Sequence, residues 1–150
     1  MSTFLLFSQA AGRVGATAKR LEKSAILGEY FAALSDEDLL HAARYFAGTI
    51  FPLRDQRTVN IGGAALLAAI RAVISADETH LRTRAVALGD LGDVAGEAFG
   101  EMPEVVAPTL LLSDANTHFE TLASTAGSKR KVEMVAETLH RASPLEAKFW

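Results

Sequence analysis

Two short runs of cations are the residues whose type and spacing best suit chemistry. Lys19, Arg20 and Lys23 fall in the first turns of a predicted helix that begins near Thr17, and Lys129, Arg130 and Lys131 fall in the first turn of another capped by Ser128. Cations at a helix N-terminus meet the positive end of the macrodipole and typically cost about 0.3–1 kcal/mol each. Free N–H groups, the dipole, a hydroxyl from Thr17 or Ser128 and neighbouring cations together make an anion site, for which phosphate is the usual occupant. Gly62 and Gly63 open a third predicted helix without a side chain to hold a ligand off the backbone, so their N–H groups suit the same contact. Each signal also has a plainer reading. A basic first turn serves equally as solvated surface or pairs locally with Glu22 or Glu133, and a Gly-Gly pair is commonly a tight turn.

Other reactive residues form no arrangement. The four histidines, His41, His80, His118 and His140, are scattered with no i, i+4 pair, and cysteine is absent, so no metal site is expected. His41 with Arg44 reads as helix surface. Glu101 and Glu104 flank Pro103 in an acidic stretch and read as a solvated loop, not an acid/base pair. A small enzyme built on Glu101, Glu104 or His118 therefore has only residue type behind it. The chain holds no nucleophile–base pattern, phosphate-binding loop motif or dinucleotide fingerprint.

The elements that must position the two basic runs are helical. Apolar residues recur at three- and four-residue spacing with no alternating stretch, which predicts an all-α, compact multi-helix single domain. A first helix is expected from about Thr17 to Leu34, with Leu21, Ala25, Ile26, Tyr30 and Ala33 facing the core. Ser35 caps a second, whose buried side is Leu39, Leu40, Ala43 and Phe46, with Gly48 and Pro52 ending it. The Ala/Leu/Ile stretch from Gly63 to about Ile74 predicts the most buried helix. Another runs from Asp77 to Leu88, and GlyAspLeuGlyAspValAla (89–95) stops it and starts the next at Asp90. Pro103 and Pro108 bracket a connector whose ValVal and LeuLeuLeu suit an extended, buried segment. Ser113 caps a helix to Ala126, Gly127 breaks it, Ser128 starts one to about Arg141, and Pro144 opens the last.

With 150 residues, of which 49% are hydrophobic, the chain is long enough for one core. No apolar run approaches the roughly 20 residues of a membrane span. The start, with only FLLF as an apolar stretch and no basic run, lacks a secretory signal, so a cytoplasmic, nucleoid-associated location is expected. The net charge is −3, from 15 basic and 18 acidic side chains, and by itself argues against a polyanionic partner. Position changes that inference. Asp77, Glu78, Asp90, Asp93, Glu97, Glu101, Glu104, Asp114 and Glu120 make an acidic middle against only Arg82 and Arg84, while the cations gather towards the two ends. Two readings follow: a one-faced binder of a phosphate backbone, or a helical protein-interaction module that uses its acidic middle segment.

Five pieces occur in a fixed order: ThrAlaLysArgLeuGluLys (17–23), AsnIleGlyGly (60–63), GlyAspLeuGlyAspValAla (89–95), AlaGlySerLysArgLysVal (126–132) and SerProLeuGluAlaLysPhe (143–149). In these the chain resembles the N-terminal DNA-binding domain of ATP-dependent DNA ligases, over roughly residues 4–150. The resemblance implies an all-helical domain that grips nicked double-stranded DNA through the minor groove and phosphate backbone, without sequence preference, for ligation in repair, replication or recombination. It implicates Thr17, Lys19, Arg20, Lys23, Gly62, Gly63, Ser128, Lys129, Arg130 and Lys131 in DNA binding, with Lys148 a further candidate. The family's Lys-x-Asp-Gly motif is missing from residues 1–150, so the expectation is a domain without catalysis of its own. ATP and magnesium would belong to an absent catalytic domain that, with an OB-fold domain, acts in cis or in trans. The end at Trp150, inside a predicted helix, favours a domain excised from a longer ligase.

Overall fold

Helices form where caps and apolar stripes coincide. The structure, a computed structural model, describes residues 1–74, 77–101 and 109–150. Among these it has helices α1 (Phe4–Gly15), α2 (Arg20–Ala32), α3 (Asp36–Phe46), α4 (Gly63–Val73), α5 (Glu78–Leu88), α6 (Leu91–Gly100), α7 (Leu112–Ser124), α8 (Ser128–Leu139) and α9 (Pro144–Phe149). No strand occurs among the described residues, and the all-α class holds. Among the described residues the one ladder-like contact is a bridge between Thr3 and Leu111, where Phe4 N–H donates to the Leu110 carbonyl at 2.7 Å. Leu110 and Leu112 are fully buried there, as expected for the LeuLeuLeu segment. The ValVal pair, Pro103, Pro108 and Glu104 lie outside the described residues.

Helix α1 has no counterpart in the sequence reading, and it supplies much of the core. Thr3 caps it by accepting from the Leu6 N–H, and Phe4, Phe7 and Ser8 bury at i, i+3, i+4 spacing. Phe4 stacks on Phe7 and meets the Trp150 ring edge-on, and Phe7 lies against Phe46. An aromatic cluster from α1, α2, α3, α7 and the chain end thus fills one half of the molecule. The other half is mainly aliphatic, with Ile70 of α4, Val94 and Ala95 of α6, and Val135 and Leu139 of α8.

Several expected registers shift. Helix α2 starts three residues late and buries no side chain fully; Leu21 is 85% exposed and Ala25 and Ala33 are exposed. Its inward stripe is Ile26, Leu27, Tyr30 and Phe31, because the helix lies outside α1 and meets the core along one edge. In α3, Ser35 caps as expected, but Leu40 and Ala43 are exposed while Asp38, His41 and Ala42 are buried. The Asp38 carboxylate accepts from the Ser2 N–H at 2.8 Å, and this polar anchor turns the helix. Helix α4 is not the most buried element: Ala69 and Ile70 are buried but Ala64, Arg71 and Ala72 are exposed, since it packs chiefly on α8 from one side. Ser113 is not a cap. The Asp114 carboxylate instead accepts from the Leu111 N–H at 2.8 Å and closes the α7 start. Gly127, at φ 92, is the residue ahead of α8, and Ser128 lies within it without capping.

Elsewhere the expected boundaries hold. Asp77 and Asp90 cap α5 and α6, and Gly89 takes the left-handed φ of 71 that ends α5. Ser143 and Glu146 form a reciprocal capping box around Pro144. Helices α6 and α9 cross closely: a Cβ on Gly92 would collide with the Lys148 carbonyl oxygen, and one on Gly96 would lie 3.2 Å from the Lys148 Cβ. The GlyAspLeuGlyAspValAla stretch is thereby a packing feature.

Candidate functional site

The three helix starts singled out by sequence become two structural groups. Helices α4 and α8 pack together, and Lys131, in the first turn of α8, donates its Nζ to the carbonyls of Val59 at 2.7 Å and Asn60 at 3.2 Å. Those two residues immediately precede the α4 start, so the AsnIleGlyGly and AlaGlySerLysArgLys stretches lie side by side. Gly62 and Gly63 are exposed, no side chain caps the α4 start, and Gly127 provides none for α8. Two helix N-termini therefore lie near one another with free N–H groups. Ser128 and Lys129 are exposed beside them, and Lys129 has no carboxylate partner among the described residues.

Lys131, unlike Lys129, is turned inward in this arrangement. It is 7% exposed and its ammonium is committed to two backbone carbonyls. Arg130 is exposed but pairs with Glu133 at 3.2 Å and, more loosely, with Glu137. The local ion pair weighed from sequence is thus present.

The α2 start is a separate group built from neighbours in sequence. Thr17 Oγ1 accepts from the Lys19 N–H at 3.2 Å and its hydroxyl donates to the Glu22 carboxylate, which also pairs with Lys19 Nζ at 3.3 Å. Lys19 precedes the helix without a side-chain cap. Arg20 is exposed, Lys23 half-buried, and neither has a carboxylate partner among the described residues. No hydrogen bond or ion pair among the described residues joins this group to the α4 and α8 starts.

Lys148 stands apart from both. Its Nζ lies 3.3 Å from Asp93 and 5.4 Å from the centre of the Phe149 ring, which makes it a brace across the α6–α9 crossing.

Sequence reasoning missed Arg57. Its guanidinium grips Asp55 and Glu120 and lies 4.5 Å from the centre of the Phe51 ring, so it fastens the loop between α3 and α4 to α7. The hydrogen bonds from Arg57 hold the Asp55 carboxyl below its ordinary range. An isolated arginine in a loop with no periodic pattern carries no signal that could have revealed this. The acidic middle also changes character once folded. Glu78 pairs with Arg71 and Arg82, Glu97 with Arg84, Asp93 with Lys148, Asp114 with Arg141 and Glu120 with Arg57. Asp77 and Asp90 are helix caps.

His118 on α7 is half-buried between α8 and the chain end. Burial lowers its pKa to about 4, and its Nδ1 lies 3.3 Å from the Thr138 hydroxyl of α8. No group of three or more potential metal ligands occurs among the described residues, and no described helix is long and apolar enough to cross a membrane.

Comparison with known proteins matches the sequence to a family. Residues 3–150 match the family described as DNA ligase N terminus. A probable DNA ligase of Opitutus terrae is 30% identical, with 98% of this chain and 18% of that protein covered. A probable DNA ligase of Koribacter versatilis is 28% identical, covering 96% of this chain and 25% of that protein. A DNA ligase of Methanothermobacter thermautotrophicus is 26% identical, covering 91% of this chain and 26% of its own length. The chain therefore spans about a fifth to a quarter of these relatives, and along nearly its whole length it belongs to the DNA ligase N-terminal family.

Proposed function

We propose that the chain is the DNA-gripping part of an ATP-dependent DNA ligase, binding nicked duplex through the minor groove and phosphate backbone without reading sequence. Catalysis, ATP and magnesium then belong to further ligase domains that act with it in cis or in trans. The observation that carries this reading is the pair of uncapped helix starts, α4 and α8, held side by side with Gly62, Gly63, Ser128 and Lys129 exposed. Adjacent N-termini with free N–H groups suit consecutive phosphates. The α2 start adds Arg20 and Lys23, with Thr17 supporting the turn. Lys19, Arg130 and Lys148 are secondary contacts, since phosphate must first displace the carboxylates they already hold.

Binding of this kind should have a Kd of about 10⁻⁴–10⁻⁶ M at physiological salt and weaken steeply as salt rises. A mobility-shift titration with nicked duplex at two salt concentrations tests it: the expected result is binding at low salt that is lost at high salt, and folded protein that leaves the duplex free at low salt rejects the reading. The alternative, a protein-interaction module with an acidic face, has less support. Most of the acidic middle is already paired or used in caps, leaving little unneutralised surface for a basic partner.

A further inference from the structure

The exposed Gly62–Gly63 turn has little of its own to hold it in shape. Asn60 takes a φ of 48, a left-handed conformation that non-glycine residues rarely adopt, and Gly62 offers no side chain to cap α4. What meets this loop from outside is Lys131. Its ammonium is buried with no carboxylate partner within 4 Å among the described residues and bonds instead to two successive carbonyls, those of Val59 and Asn60. Burying an ammonium against neutral dipoles alone is costly. One donor group can bond two consecutive carbonyls only if the chain curls around it, and the positive φ at Asn60 supplies such a bend.

We propose that Lys131 is a positioning residue: it holds the Val59 and Asn60 carbonyls so that the Gly62 and Gly63 N–H groups and the Lys129 side chain meet the phosphate backbone as one unit. This rests on the DNA-binding reading above. It reverses the role expected from sequence for the third cation of the LysArgLys run, which works through the loop and touches no phosphate.

Lys131→Met keeps the hydrocarbon stem and removes the ammonium, and Lys131→Gln restores a donor without restoring charge. Two quantities are read on the 150-residue chain: affinity for nicked duplex across a salt series, and hydrogen exchange at the amides of residues 60–63. For Lys131→Met the expected results are faster exchange at those amides and an affinity about tenfold lower at every salt concentration, from lost preorganisation, with an unchanged log–log slope. Lys131→Gln should recover part of the affinity at the same slope. If Lys131→Met fails to fold, Lys131→Gln carries the test with the same expected slope and an intermediate loss.

A slope shallower by about 0.9 in either variant would mean that Lys131 itself neutralises a phosphate, and overturns the proposal. Faster exchange with unchanged affinity overturns it too, because the loop would then be held for stability alone. Wild-type protein that does not bind removes the functional reading and this inference together. Wild-type binding with variants of equal affinity removes only the inference.

Discussion

The starts of α2 and α8 carry nearly the same sequence signal, three cations within five residues at a helix N-terminus, yet they are built differently. At the α2 start the polar contacts are local: Thr17, Lys19 and Glu22 satisfy one another, and the helix packs along one edge on α1. At α8 the third cation turns inward, crosses to the loop before α4 and joins two helix starts into one surface. A basic helix start is therefore two different objects, a charged rim or a braced platform, according to whether a neighbouring loop accepts one of its cations. The α8 side should be sensitive to perturbations that leave α2 indifferent.

The largest such difference is expected with acid. His118 is half-buried against Trp150 and touches Thr138 of α8, with a pKa lowered to about 4 by desolvation. The unfolded chain takes up this proton near pH 6.5 while the folded chain resists it, so stability is undiminished above pH 6.5 and falls as pH drops towards 4. The slope is about 1.4 kcal/mol per pH unit, or about 3 kcal/mol over the window. Urea unfolding of wild type and His118→Phe, followed by Trp150 fluorescence, should show the wild type losing ground to the variant by that amount between pH 6.5 and 4. On α2, burial pushes the Tyr30 hydroxyl up to about 12, so it adds nothing there. A wild-type–variant difference independent of pH would remove the acid sensitivity from this side of the comparison.

A smaller contrast lies in the residues just ahead of the two helices. Gly127 precedes α8 at φ 92 and ψ 127, where a Cβ is strained even though nothing lies within 4 Å of it. Lys19 precedes α2 at an ordinary φ of −82. Gly127→Ala should cost about 1–3 kcal/mol by denaturant unfolding, whereas Lys19→Ala should stay within about 0.5 kcal/mol. Equal effects would mean that the two starts are conformationally alike.

What sequence could and could not reveal follows the same division. Boundaries set by residues near in sequence are legible: Ser35 and Asp90 cap, Gly89 stops α5, and the starts at Asp77 and Pro144 fall where expected, while the Ser143–Glu146 box around Pro144 emerges only in the structure. Features set by distant residues were not. The register of α3 depends on Asp38 meeting Ser2, and the role of Lys131 depends on carbonyls more than 70 residues away in sequence, neither of which leaves a local pattern. Helix α1 is the exception. Thr3 followed by Phe4, Phe7 and Ser8 is a readable cap and stripe, but its opening apolar residues were weighed only as a possible leader. Gly92 lies in the GlyAspLeuGlyAspValAla stretch, and only the crossing of α6 and α9 shows why a side chain is excluded there.

On the DNA-binding reading, the two groups also differ in what removing a charge should do. Lys129 at the α8 start has no carboxylate to release, so Lys129→Ala should lower affinity severalfold and flatten the log–log salt slope by about 0.9. Arg20→Ala with Lys23→Ala should flatten it by up to about 1.8, with similar losses on duplexes of unrelated sequence, because phosphate contacts carry no base information. A salt series on these variants decides whether platform and rim both meet the backbone; a slope unchanged by the α2 pair would confine the interface to α4 and α8.

The smallest effect runs in the opposite direction. Glu22 accepts from Thr17 and pairs with Lys19, so its carboxylate occupies the group that phosphate would otherwise hold and places a negative charge beside the α2 start. Exposed pairs of this kind contribute only about 0–1 kcal/mol to stability, so Glu22→Gln should fold normally while leaving Lys19 unengaged. Its affinity for nicked duplex should rise about twofold at low salt, with a slope steeper by up to about 0.9 as Lys19 joins the contact. The α8 counterpart, Glu133→Gln beside Arg130, should do the same to a smaller extent, because Glu137 still lies 3.8 Å from the Arg130 guanidinium. A gain at Glu133 with none at Glu22, measured in parallel titrations, would show that only the braced platform faces the duplex and that the α2 rim looks away from it.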